Sequence, residues 1–214
     1  MTGESRAPRR TGRRAGDSGT REAILAAARQ RFASHGYTGT TIRGIAGDAG
    51  VGPALVHHFY GTKERLFAAA MRLPVVPSEV IGAALGSDAS RPADNLGERL
   101  VRTVLGVWDA TEVRATLLAL LRSAVTNEQA MVMLREFVTA AILGSIAGAI
   151  GPPGEQVTVD DASYRASLVA SQILGLAMTR YVFQLEPIAT ASADDLAIAL
   201  GPTVQRYLTG DVHG

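Results

Sequence analysis

The sequence predicts an all-α fold in two units, a basic head and an acidic body. Three observations carry this. Apolar residues recur at helical spacing along most of the chain. No stretch alternates with period two for long enough to make a strand, Val157-Thr158-Val159 being too short. Charge is unevenly spread: residues 1–66 hold 11 Lys and Arg against 5 Asp and Glu, and the remainder holds 10 against 15. With 214 residues, 47% hydrophobic and 19% charged, the chain can bury a real core in one or two domains.

The elements follow in order. Residues 1–17 form an Arg-rich tail of low hydrophobicity, with Arg6, Arg9, Arg10, Arg13 and Arg14, expected to be disordered alone. A first helix runs from about Thr20 to His35, with Ile24, Ala28 and Phe32 on one stripe. Ser18 or Thr20 caps it and Gly36 stops it. A short second helix follows Thr40-Thr41, with Ile42, Ile45, Ala46 and Ala49 inward. After the turn Ala49-Gly50-Val51-Gly52, a third helix spans about Pro53 to Phe59. Its proline stands in the first turn, where the missing N–H costs nothing. A fourth starts at Lys63 and ends or kinks at Leu73-Pro74. Further helices are expected near 78–85, 95–109, 112–125, 128–150, 161–185 and 193–208. The breaks between them fall at Ser87–Pro92, Gly151-Pro152-Pro153-Gly154 and Glu186-Pro187, and Gly201-Pro202 is expected to kink the last helix.

Composition narrows the chemistry. With no cysteine there are no disulfides, thiolate zinc sites, iron–sulfur clusters or cysteine nucleophile. The N-terminus has no apolar signal region, and the longest apolar stretch, Phe137 to Ile150, is shorter than the ~20 residues a membrane span needs. A soluble cytoplasmic protein with no membrane partner is the expectation. No phosphate-binding loop, dinucleotide loop, nucleophile elbow or zinc-protease motif occurs, and four histidines leave little acid–base machinery. The expectation is a protein that is not an enzyme and needs no cofactor or metal.

The stretch Thr41 to Phe59 has the spacing of a helix-turn-helix. Small Ala46 and Ala49 on the second helix let the third cross it closely, Gly50 supplies a turn residue that tolerates positive φ, and Val51 plugs the gap. The third helix then offers its N-terminal face to a major groove. The run TIRGIAGDAGVGPALVHHFYGTKERLFAAAMRLP resembles the N-terminal DNA-binding region of the tetracycline-repressor-like (TetR) family of bacterial regulators. The specific part is the group of histidines and aromatics closing the third helix, followed by Gly-Thr-Lys-Glu and an apolar pair. The resemblance covers roughly residues 18–74, and the helical remainder fits the family's ligand-binding and dimerisation domain in length and class. One departure is Phe59-Tyr60, where the family usually has an aromatic or His and then Phe.

The resemblance implies a homodimeric, ligand-responsive repressor that binds a double-stranded DNA operator and is released by a small molecule. A constitutive DNA-binding dimer without a ligand is the alternative, and a helical enzyme is a more distant one. The implied organisation is a basic arm (1–17), a three-helix DNA-binding domain with the helix-turn-helix (18–66), and a helical ligand-binding and dimerisation domain (67–214). His57 and His58 occupy the positions where the family carries DNA-contacting aromatic or His residues.

Other contact candidates come from the residues themselves. Gly52, Pro53 and Ala54 let the helix backbone approach base edges, or are simply turn residues. Thr40 and Thr41 can bind a phosphate with the N-terminus of the second helix, or cap it. Arg43 faces solvent if Ile42 and Ile45 are buried. Lys63, the only lysine, stands in the first turn of its helix, where the dipole disfavours a cation, so an outside gain such as a phosphate is expected. Tyr60 is either core or contact. Arg9, Arg10, Arg13 and Arg14 of the arm can lie in a narrow minor groove, or belong to a floating tail.

In the body, Ser163, Ser167, Ser171 and Gly175 recur every four residues, a stripe small enough for a second helix to approach closely. Leu200, Val204 and Tyr207 share a face of the last helix. Pairing of these two helices with their copies gives a four-helix dimer interface, as the resemblance implies. Trp108, Met133, Phe137, Met178 and Tyr181 suit an adaptable pocket for a small apolar or amphipathic ligand, although such residues also build ordinary cores.

Overall fold

The computed structural model describes residues 13–86, 95–150 and 159–212, and among them every regular element is helical. A headpiece is made of α1 (Arg13–Gly39), α2 (Ile42–Asp48), α3 (Pro53–Tyr60) and α4 (Lys63–Met71). The body comprises α5 (Pro77–Leu85), α6 (Leu96–Trp108), α7 (Thr111–Thr126), α8 (Glu128–Phe137), α9 (Gly144–Ala149), α10 (Val159–Ala177) and α11 (Ala193–Thr209). A π-helical turn, Val138–Leu143, joins α8 to α9, and another, Met178–Val182, extends α10.

Side-chain caps fix many of the boundaries. The Thr41 hydroxyl accepts the Gly44 N–H at 3.1 Å, Thr62 accepts that of Arg65 at 3.1 Å, and Asn127 accepts that of Ala130 at 3.0 Å. The first helix is longer than expected. It begins at Arg13, because Arg and Ala propagate a helix well and no proline interrupts residues 13–17. Arg13 and Arg14 thus stand in its first turn, while Arg6, Arg9 and Arg10 lie outside the described residues, as do the breaks at 87–92 and 151–154. Regular α1 geometry stops at Gly36 (φ 71°), where the chain kinks. The last helix runs through Pro202 as one element. Pro202 and Ile198, the residue whose carbonyl loses its donor, are both exposed.

Two apolar cores form. The headpiece core gathers Ile24, Ala28 and Phe32 of α1, Ile45 and Ala46 of α2, Val56 of α3 and Leu66, Phe67 and Ala70 of α4. It is completed by two residues from beyond position 100, Phe137 and Ala141. The body core packs Leu100, Val101 and Leu105 of α6 against Leu196, Ala197, Val204 and Leu208 of α11, with Ala166 and Val169 of α10 and Ile146 of α9. The run Glu128–Ala149 serves both cores. Phe137 and Ala141 point into the headpiece, whereas Ile142, Leu143 and Ile146 point into the body. The π turn lies between the two, and its extra residue re-aims the downstream face. By length and mean hydropathy (1.6) this run could also cross a bilayer, but it anchors both cores.

Helices α6 and α11 meet backbone to backbone. A Cβ on Gly97 would strike the Gly201 carbonyl and the Gln205 backbone, so only glycine fits there. The first-turn N–H of Gly97 donates to Gln205 Oε1 at 2.9 Å. Behind α11, largely buried Arg165 of α10 pairs with Asp161 at 2.7 Å and donates to the carbonyls of Tyr207 (3.3 Å) and Gly210 (2.7 Å). That guanidinium closes the C-terminal end of α11.

Candidate nucleic-acid interface

The α2–turn–α3 unit is built on a small set of buried contacts. Ile45, Ala46 and Val56 are fully buried on α1 and α4. Between the helices Gly50 adopts φ 66°, and the Val51 N–H donates to the Ala46 carbonyl at 2.9 Å. With that inner face consumed, α3 turns Pro53, Ala54, Leu55, His57 and His58 outward, and Gly52 at its start is exposed too. Thr41 and Arg43 are exposed on α2.

The two histidines differ. His57 Nδ1 lies 2.8 Å from the Gly61 carbonyl, while the Gly61 N–H donates to the His57 carbonyl at 2.8 Å. A carbonyl only accepts, so Nδ1 carries the proton, and in the neutral ring Nε2 is left as an acceptor facing outward. His58 has its ring against Phe59, centroids 5.3 Å apart. Phe59 and Tyr60 are both half-buried against the headpiece core. Phe59 lies under the Arg21 guanidinium at 4.8 Å, and the Tyr60 hydroxyl donates to the Arg21 carbonyl at 3.2 Å. Tyr60 is thus occupied by packing on α1.

Two contact candidates are turned inward. Thr40 is only 1% exposed, and its hydroxyl donates to the Gly36 carbonyl at 2.7 Å, closing the turn instead of facing a phosphate. Lys63 is half-buried, with Nζ 4.6 Å from the Tyr37 ring centroid and 3.3 Å from the Thr38 carbonyl. Burial lowers its pKa, and the charge of Glu136 opposes that shift. The Tyr37 ring and the Thr38 carbonyl thus engage the ammonium within the protein.

The five residues expected around a ligand pocket separate into different places. Phe137 is 3% exposed and lies in the headpiece core, 4.4 Å from Phe67 and 5.3 Å from Tyr37 by ring centroids, with Met133 partly buried beside it. Trp108 and Tyr181 meet edge-on at 6.2 Å. The Tyr181 hydroxyl donates to Asp109 Oδ1 at 2.8 Å. Burial first and this bond second push its pKa up to about 12. Arg180 donates to the same carboxylate and to the carbonyls of Ile188 and Ala191, both at 2.8 Å. This group clasps the 183–192 connection, and Met178, half-buried, opens the π turn beside it.

A groove of about 590 Å³ lies elsewhere, between α4, α5 and α6. Ala68, Ala69, Leu73, Val76, Val80 and Val107 are among its lining, and the Arg65–Glu79 ion pair (2.5 Å) stands at its edge. The Leu73-Pro74 break was the available sequence signal for it, since parting α4 from α5 opens the space. On α10, Ser163, Ser167, Ser171 and Gly175 form an exposed stripe flanked by exposed Tyr164 and Leu174. On α11, Val204 is fully buried in its own subunit's core, and Leu200 and Tyr207 are half-buried against it. That face of α11 is occupied by α6, so Val204 cannot reach a second copy.

Comparison with known proteins fits this architecture. Residues 24–70 match the family model described as bacterial regulatory proteins, tetR family, and residues 94–208 match the tetracyclin repressor-like C-terminal domain. The HTH-type transcriptional repressor AcnR of Corynebacterium efficiens is 33% identical over 94 residues, 44% of this chain and 43% of that protein. The HTH-type transcriptional regulator BetI of Rhizobium meliloti is 42% identical over 52 residues, 24% of this chain and 26% of that protein. The chain thus spans less than half the length of these curated relatives. A TetR-family regulator of Streptomyces coelicolor A3 with a crystal structure is 43% identical, covering 92% of this chain and 98% of that one, with a TM-score of 0.46. With one model matched by the headpiece and the other by more than half of the chain, this protein belongs to the tetR family of bacterial regulatory proteins.

Proposed function

We propose that this protein is a homodimeric transcriptional repressor that binds a double-stranded DNA operator in the cytoplasm and leaves it when a small apolar or amphipathic molecule enters the body. One observation carries the DNA-binding part: α3 exposes Gly52, Pro53, Ala54, His57 and His58 together on a helix whose opposite face is anchored by buried Val56. Small residues at the helix start let its backbone approach base edges, and His57 Nε2 is an acceptor for an exocyclic amine. Exposed Arg43 and the capped N-terminus of α2 beside Thr41 are suited to a phosphate. Lys63 and Tyr60 contribute by holding the headpiece, and Thr40 by closing its turn.

The ligand reading is supported by the groove between α4, α5 and α6, whose apolar walls and ion-paired edge suit an apolar body with a polar end. The dimer reading is supported by the exposed stripe Ser163, Ser167, Ser171 and Gly175 with Leu174 and Tyr164 beside it, together with Ile198, 60% exposed on α11.

Selection of bound fragments from genomic DNA identifies the operator. On that operator, the H57A/H58A pair is expected to lose roughly 1–3 kcal/mol of binding with the dimer intact. Wild-type affinity in that variant overturns the assignment of α3.

A further inference from the structure

We propose that Glu136, carried on α8 of the body, is a positioning residue for DNA binding. Its carboxylate holds the turn that sets the helix-turn-helix on α1. This rests on the reading of α2 and α3 as the DNA-binding unit.

The orientation of α2 is decided by five residues, Gly36 to Thr40, between the kink in α1 and the cap at Thr41. That turn is held from several sides. Glu136 Oε2 accepts the Thr38 N–H at 2.9 Å, and the carboxylate packs directly against Gly36, where a Cβ would displace it. Lys63 of α4 donates to the Thr38 carbonyl at 3.3 Å. Within the turn, the Thr40 hydroxyl donates to the Gly36 carbonyl at 2.7 Å. Residue Thr38 therefore has its N–H bonded by the body and its carbonyl bonded by the headpiece.

The next residue on α8, Phe137, is locked among Tyr37 and Phe67. Glu136 is thus placed by a buried anchor, and a hydrogen bond to an ionised carboxylate is among the stronger ones available. Immediately downstream the helix passes into the π turn and then into the body core. A shift of α8 along its axis must either drag the Thr38 turn with it or break this bond. Dragging the turn changes the angle of α2 and α3 to α1, and breaking the bond leaves the turn held only by Lys63 and Thr40. Among the described residues Glu136 makes no hydrogen bond or ion pair with α3, and its bond to the Thr38 N–H is the route by which it acts.

The experiment compares E136A and E136Q in the full chain, on an operator selected by the wild type, at 15 °C, with Thr38 amide hydrogen exchange measured alongside. E136A is expected to lose about tenfold in operator affinity and to exchange its Thr38 amide faster, as loss of a charge-assisted hydrogen bond predicts. E136Q keeps an acceptor oxygen and is expected to bind within about threefold of wild type. A melting temperature well above the assay temperature in both variants separates positioning from unfolding. If both variants bind like wild type, or both tighten as removal of a negative charge near DNA would cause, Glu136 has no positioning role. If E136A lowers affinity only as far as its unfolded fraction accounts for, the residue is merely structural and the proposal fails. Failure of the underlying DNA-binding reading looks different: H57A/H58A then keeps wild-type affinity whatever Glu136 does.

Discussion

The headpiece and the body solve the same packing problem in opposite ways. The headpiece packs three short helices on the long α1, around a core centred on aromatic rings: Phe32, Tyr37, Phe67 and Phe137 lie with neighbouring centroids 4.4 to 5.9 Å apart. Yet it is not self-sufficient, because one of those rings arrives from α8. The body uses an aliphatic core fixed by a glycine crossing, and it leaves large apolar side chains in solvent, among them Leu174 (54%), Phe183 (61%) and Ile198 (60%). The headpiece is thus completed from within the subunit, while the body presents surface suited to a second copy. A headpiece that depends on the body for its core cannot be indifferent to what happens there.

Phe137→Ala tests that dependence most severely. Removing a ring that is 3% exposed is expected to cost about 3–5 kcal/mol. Far-UV circular dichroism should lose amplitude at lower urea than the fluorescence of Trp108, the single tryptophan, which sits in the body. Coincident transitions of unchanged midpoint would mean that the headpiece does not need α8.

Gly97→Ala strikes the body instead. A methyl there meets backbone, which cannot rotate away, so roughly 1–3 kcal/mol is expected. Both probes should move together in this case, since the crossing lies within the body core. Separate transitions would show that α6 and α11 are not one cooperative unit.

The smallest effect on the single subunit belongs to Ser171→Arg. The side chain is exposed, and such changes stay within about 0.5 kcal/mol. Sedimentation at micromolar concentration should nevertheless show monomer, because a long cation cannot fit a seam of serine and glycine. An intact dimer would move the interface away from α10.

Much of this was legible in the residues. The cap at Thr41, the turn at Gly50 and the start of α3 at Pro53 are local chemistry, and local chemistry is written in order along the chain. What escaped was tertiary. Phe137 and Met133 read as pocket residues because an apolar stripe says that a face is buried, not against what. Val204 failed for the same reason: helical period marks an apolar face without distinguishing the same subunit from its copy. Thr40 and Thr41 are identical neighbours, and only the fold decides that one bonds backward to Gly36 while the other caps forward. Lys63 was singled out as a cation for an outside phosphate, and the ring it lies over comes from 26 residues earlier, a contact that spacing along the chain does not announce.

The contact between Gly97 and Gly201 bears on the groove as well. Helix α6 supplies one groove wall through Thr103 and Val107, and the same helix is pressed against α11 where Gly97 meets the Gly201 carbonyl. A wall of that kind has almost no compliance in its own direction. The opposite walls belong to α4, the Leu73–Val76 link and α5, which are separate pieces joined at a residue, Arg72, in left-handed conformation (φ 56°). Under the proposed ligand reading, volume inserted between a stiff wall and a jointed one is taken up on the jointed side, which is the side that carries the headpiece.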